Sequence, residues 1–183
     1  LKKISKDVII LKPVEAELTK LFLNSYRYVQ FSIANQFYKI SDSLGLDYSK
    51  IDYAMRYKYN RGKNIPTPGF TSGPCLFKDT MQLYSFAHND FTLGINAMTI
   101  NEGLITYIVE KLKKEFDLSK KIVGILGMSF KANIDDNRSS LSYKLKKMLI
   151  INANDVITTD PYVKNDKEIK SLNETLRKSD ILI

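Results

Sequence analysis

Cysteine and histidine are nearly absent from this chain, with one of each, Cys75 and His88, among 183 residues. A single cysteine excludes an internal disulfide, and a single histidine leaves no His-rich metal site. No apolar run approaches the roughly 20 residues that cross a bilayer. The first residues, Leu1-Lys2-Lys3-Ile4-Ser5-Lys6-Asp7, carry neither the apolar core nor the small-residue cleavage site of a secretory leader. A reducing, cytoplasmic setting is therefore expected, with no membrane partner. What is present is globular in character: 44% hydrophobic and 26% charged residues. The formal net charge of +8 raises a nucleic-acid partner as a possibility. However, the lysines alternate with apolar residues, as in Lys111-Leu112-Lys113-Lys114 and Lys144-Leu145-Lys146-Lys147, the pattern of a wet helix face. No RNP aromatics, zinc-finger spacing or basic tail accompany them, so no nucleic-acid partner is expected.

Periodicity divides the chain. Val8-Ile9-Ile10-Leu11 reads as a strand or its remnant. From Pro13 to Leu44 apolar residues recur at helical spacing without an internal Gly or Pro, and Gly45 suits a C-cap. A shorter helix is predicted from Asp47 to Tyr57, then a long Gly/Pro/Asn-rich loop to Cys75, of the kind that is usually functional. Helices follow from Asp79 to about Ala87 and, capped by Asp90, on to Phe116. Beyond residue 118 the pattern becomes strand (Ile122–Leu126), helix (Ser139–Ile150), strand (Asp155–Thr159), helix (Ser171–Lys178), strand (Asp180–Ile183). Such alternation specifies a parallel α/β sheet. Both ends cut into apparent strands, as in a fragment.

Cys75 sits in Gly73-Pro74-Cys75-Leu76-Phe77-Lys78-Asp79-Thr80, a loop entering a helix. A thiol is nucleophilic only as thiolate, a form favoured at a helix N-terminus or beside a cation such as Lys78. The plainer alternative is a buried cysteine acting as a small hydrophobe.

Three segments in order carry a family resemblance: Glu15-Ala16-Glu17-Leu18-Thr19-Lys20-Leu21-Phe22-Leu23-Asn24; Pro68-Gly69-Phe70-Thr71-Ser72-Gly73-Pro74-Cys75-Leu76-Phe77-Lys78-Asp79; and Gly124-Ile125-Leu126-Gly127-Met128-Ser129-Phe130-Lys131 with Asp135-Asp136-Asn137-Arg138-Ser139-Ser140. Together they resemble the UDP-glucose/GDP-mannose dehydrogenase family. The resemblance implies an all-helical central domain (13–117) followed by a truncated, Rossmann-like parallel α/β domain that binds the UDP-sugar (118–183). Residues 1–12 would end a missing N-terminal NAD-binding domain. It also implies a homodimer through the long helix. Nothing here supplies the dinucleotide fingerprint, since Leu126 stands at the second glycine position of the Gly124 turn.

The family oxidises a nucleotide-sugar C6 alcohol to the uronic acid with NAD, which would supply surface polysaccharide. By this resemblance Cys75 captures the aldehyde as a thiohemiacetal and then holds a thioester. Lys20 and Asn24, four apart on one helix face, would stabilise the alkoxide or oxyanion. Asp79 would work with lysine and water in acid–base steps, and could equally serve as a helix N-terminal acid. Phe70, Gly73, Lys131 and Arg61 would contact substrate, whereas Lys78 and Arg138 would contact NAD. The plainer reading of Lys20, Asn24 and Arg61 is a solvated surface. Most members read G-F-G-G-x-C; here Gly69-Phe70-Thr71-Ser72-Gly73-Pro74-Cys75 is one residue longer. Asp135-Asp136-Asn137 reads as a turn or cap rather than a metal site. The fragment alone is expected to be catalytically silent. The rival functions are a non-catalytic nucleotide-sugar-binding or dimerisation module and a basic nucleic-acid binder.

Overall fold

The structure, a computed structural model, describes residues 7–183; expectations that touch residues 1–6 lie outside them. Helix α1 spans Pro13–Ser43. Pro13 takes the first helical position, where its missing N–H costs nothing, and the Glu15 carboxylate accepts from the Lys12 backbone N–H at 2.8 Å. The helix ends in a Schellman turn, with Leu46 N–H donating to Ser41 O and Gly45 N–H to Asp42 O.

Val8-Ile9-Ile10-Leu11, expected as a strand, joins no strand, and Ile9 and Ile10 are exposed. Strand propensity is realised only against a neighbouring ladder, and the sheet lies in the other half of the chain. Helix α2 (Tyr48–Arg56) is capped by Asp47, whose carboxylate accepts from Ser49 N–H at 2.9 Å. The following loop is not featureless, because Asn60–Gly62 forms a short 3-10 turn. Helix α3 (Leu76–Phe86) starts three residues before the expected Asp79 and has Cys75 at its N-cap position. Exposed His88 lies in the next turn, outside any helix. Helix α4 (Thr92–Glu115) takes Phe91 rather than Asp90 as its N-cap; Asp90 contributes its carbonyl, which accepts from Thr92 N–H at 2.9 Å.

Strands β1 (Ile122–Leu126), β2 (Asp155–Thr159) and β3 (Ile181–Leu182) form a parallel sheet in the order β2-β1-β3. The crossovers are α5 (Leu141–Asn152) and α6 (Leu172–Lys178), capped by Ser140 and Ser171. The chain is thus mostly helical, with a small three-stranded parallel α/β part.

Helix α4 ties the two parts together. It packs with α3 against α1, while its Ile105 and Val109 enter one core with Leu118, Val123, Ile125, Met128, Leu141, Leu145 and Leu149. Burial of each such side chain is worth about 1.5–3 kcal/mol, so the loops at the junction are held by packing from both sides. The lysine runs are amphipathic faces except at Lys146, which is buried rather than solvated. Leu145 is fully buried, while Lys111 pairs with Asp42 at 2.5 Å, Lys113 with Glu110 at 3.0 Å, Lys146 with Glu168 at 2.6 Å and Lys144 with Glu102. Among the described residues no helix is long and apolar enough to cross a membrane.

Candidate active site

At the junction, the middle of α1, the start of α3, the end of the 57–75 loop and the β1–α5 loop enclose a cavity of about 470 Å³. Cys75, Asn24, Phe70, Gly73 and Lys131 line it, together with Arg27, Phe31 and Phe130. The Cys75 thiol is exposed, which excludes the reading of this residue as a buried hydrophobe. Its backbone carbonyl accepts from Asp79 N–H at 2.8 Å, the first turn of α3.

One turn on, the Asp79 carboxylate is fully buried and carries two hydrogen bonds and a further ion pair. Its Oδ2 accepts from Lys20 Nζ at 3.0 Å and Asn24 Nδ2 at 2.6 Å, and its Oδ1 lies 2.6 Å from Lys78 Nζ. Burial pushes the carboxyl upward, but the contacts from Lys78, Asn24 and Lys20 outweigh it and bring its pKa to about 2. The Lys78 ammonium is raised by the same contact with Asp79. A carboxylate anion therefore gathers one amide and two ammonium groups one turn along α3 from Cys75, and of these residues Asn24 lines the cavity with the thiol.

The far wall is set by two devices. Gly73 has φ +99, and a Cβ there would lie 2.6 Å from Phe130 Cδ2, so only glycine lets the cysteine loop pass the Phe130 ring. Gly73 N–H also donates to Ser139 O at 3.4 Å. Asp160, at the end of β2, accepts from Met128 and Ser129 N–H on Oδ2 and from Tyr162 and Val163 N–H on Oδ1. Burial raises the Asp160 carboxyl and these four donors lower it, leaving it below the usual carboxylate range. This fixes the loop that presents Phe130 and Lys131. Arg138 is exposed and pairs with Asp136 at 2.7 Å; Arg138 and Lys78 both lie within electrostatic reach of the Cys75 sulfur.

The cavity continues past Phe70, Ser72, Phe130 and Lys131 into a second of about 400 Å³, lined also by Asn133 and Tyr162. That one shares Leu126, Gly127, Asp160 and Pro161 with a third of about 690 Å³, where Lys164 and Lys170 stand. The result is a trough from the thiol across the C-terminal ends of β1 and β2, the edge where open α/β sheets take ligands. Exposed Arg61 lies on the 3-10 turn and lines none of these three cavities.

Residues 14–103 match the family model described as "UDP-glucose/GDP-mannose dehydrogenase family, central domain", and residues 124–183 match that family's "UDP binding domain". The chain belongs to the UDP-glucose/GDP-mannose dehydrogenase family. Among the family's relatives, UDP-N-acetyl-D-mannosamine dehydrogenase of Pyrococcus horikoshii is 31% identical over 175 residues, 92% of this chain and 41% of its own. The enzyme of that name from Methanocaldococcus jannaschii is 30% identical, over 92% of this chain and 39% of its own. A solved structure of the Pyrococcus horikoshii UDP-D-ManNAc dehydrogenase superposes with a TM-score of 0.80 at 30% identity, over 92% of this chain and 41% of that one. The chain thus spans about two fifths of the length of the relatives it matches.

Three wall residues of this dehydrogenase-family cavity, Arg27, Phe31 and Phe130, were not anticipated from sequence. The signal for two of them was available: Lys20, Asn24, Arg27 and Phe31 step at four, three and four residues along one face of α1.

Proposed function

We propose that the chain is the catalytic and sugar-binding part of an NAD-dependent dehydrogenase that oxidises the C6 alcohol of a UDP-sugar to the uronic acid. The observation that carries this reading is the exposed Cys75 thiol at the head of α3, in one cavity with Asn24 and Lys131. Two hydrides leave the sugar carbon overall, and NAD, when bound, is the group that takes them. The exposed cations Lys78 and Arg138 beside Cys75 fit the diphosphate of such a cofactor, although these 183 residues include no G-x-G-x-x-G turn.

The chain's own part is as follows. Lys20 and Asn24, held together by Asp79, polarise the sugar C6 oxygen and stabilise negative charge as it develops. Cys75 Sγ adds to the aldehyde carbon, which retains the aldehyde and divides a hard oxidation into two easier steps. After the second hydride has left, water attacks the resulting thioester and returns the thiol. Asp79 orients Lys20, which passes protons to and from that water. Lys131 and the trough beyond it hold the diphosphate and base. The names of the relatives favour a UDP-N-acetylhexosamine over UDP-glucose. A lone free thiol suits the cytoplasm, and the paired lysine faces argue against nucleic acid.

Calorimetry of this chain with UDP-N-acetylhexosamines and UDP-glucose tests the reading. Saturable binding is expected, weakened at least about tenfold by Lys131→Ala, with no reduced cofactor formed by the chain alone. Equal affinity in the Lys131 variant would remove the trough as the substrate site. Turnover by the isolated chain would show that it needs no further part.

We also propose a homodimer through α1. Phe22, Tyr26, Ile33, Phe37 and Ile40 are exposed and, at about 100° per residue, share one stripe opposite the face of Lys20 and Asn24. Sedimentation velocity is expected to give a dimer at micromolar concentration and a monomer for Phe37→Glu. A monomeric parent chain would refute the proposal.

A further inference from the structure

Two buried asparagines that play no part in the chemistry above are tied to the cysteine loop. Asn35 on α1 and Asn101 on α4 are both fully buried. The Asn35 amide pairs with both sides of one loop residue: Gly69 N–H donates to Asn35 Oδ1 at 2.7 Å, and Asn35 Nδ2 donates to Gly69 O at 3.1 Å. The second Nδ2 hydrogen goes to Asn101 Oδ1 at 2.9 Å, and Asn101 Nδ2 donates to Tyr28 O at 3.1 Å. This chain of bonds fixes the Asn35 amide in one orientation, because a flipped amide would set donor against donor at Gly69. Gly69 itself has φ +153, outside the range that L side chains favour, and it is followed directly by Phe70 in the cavity wall.

We propose that Asn35 and Asn101 are positioning residues that set the conformation of the Gly69–Cys75 loop and so aim Phe70 and Cys75 into the cavity. The loop is held at three points. Asn35 grips its start, the Phe130 ring and Ser139 O hold Gly73, and α3 holds its end. Only the end rests on a helix; Phe130 and Ser139 belong to the β1–α5 loop, and at the start the hold is the Asn35 side chain. Buried amide networks specify one conformation when every member is satisfied, as Asn35 Nδ2 and Oδ1 are here. The catalytic consequence rests on Cys75 being the reactive group, but the positioning itself does not.

Hydrogen exchange on this chain and its Asn35→Ala variant tests the proposal, read beside the rate at which iodoacetamide alkylates Cys75. Loss of the clamp is expected to speed exchange of the Gly69 and Gly73 amides at least about tenfold while Val109 in α4 keeps its protection. The alkylation rate is expected to change at least about threefold. Gly73 decides the matter, since Asn35 does not touch it and only a repositioned loop exposes it. Protection retained at Gly73, an unchanged alkylation rate, or equal loss across α1 and α4 overturns the proposal. Should Asn35→Ala fail to fold, Gly69→Ala perturbs the same contact from the loop, where an added Cβ meets nothing within 4 Å, and the same signature is expected. None of these readouts requires oxidation of a sugar, so failure here is separate from failure of the dehydrogenase reading.

Discussion

Replacing Cys75 with alanine, in the chain joined to a dinucleotide-binding half, is expected to lower kcat for uronic acid formation at least about 10³-fold. The expected change in nucleotide-sugar affinity is less than about threefold. The asymmetry follows from the geometry. Cys75 and Lys131 both line the cavity, and in the proposed reading it is Lys131 and the trough beyond it, not the thiol, that hold the diphosphate and base. Serine is not a rescue, because a hydroxyl needs an adjacent base. His88 lies in the turn after α3, exposed, and is not among the residues lining the cavity. Asp79 is already committed to Lys20, Asn24 and Lys78. Cys75→Ser is therefore expected to fall within about tenfold of Cys75→Ala. Two measurements decide it: formation of reduced cofactor in steady state, and mass spectrometry of the wild-type protein quenched during turnover for a substrate adduct on Cys75. An alanine variant that keeps a tenth or more of the parent rate would show that no covalent bond to this sulfur is needed.

Which parts of this arrangement are readable in a single sequence follows from the range of the interactions. Helix α1 was legible nearly to the residue because Pro13, the uninterrupted apolar period and Gly45 act within a few positions of one another. The strand–helix alternation after residue 118 was legible for the same reason. Lys20, Asn24, Cys75 and Asp79 were reached through family resemblance, and the i, i+4 spacing of Lys20 and Asn24 added only that those two share a face. What brings Asn24 to Asp79 is a hydrogen bond to a carboxylate 55 residues away, and no local pattern encodes that. Phe130 against Gly73, the four amides on Asp160 and the Asn35–Asn101 pair escaped notice for the same reason. Val8–Leu11 shows the converse error. Its composition favours a strand, but the strand needed a partner that the fold does not place beside it.

Asp79→Asn is expected to cost stability at neutral pH and to flatten the acid limb of the stability profile. The wild-type carboxyl titrates near 3.8 in the unfolded chain and at about 2 in the folded protein. A depressed folded value means that the unfolded state binds the proton more readily. Folding therefore gains from Asp79 fully above about pH 4, and the gain is lost as pH falls from there through 2. The displacement corresponds to about 2 kcal/mol. Lys20 and Lys78 are themselves 64% and 61% exposed, so solvent screening reduces the expected loss to about 1–2 kcal/mol. Asparagine keeps the shape and can still accept from Asn24 Nδ2, which is why the variant should fold. What it cannot do is draw two ammonium groups to one point. Lys20 is then free to swing into solvent, and turnover is expected to fall about 10²-fold with little change in KM. Urea melts of both proteins between pH 7 and pH 2.5 should converge at the acid end. Profiles that stay parallel would mean that the Asp79 charge contributes nothing to folding, and with it the case for a preset Lys20–Asn24 pair would fail.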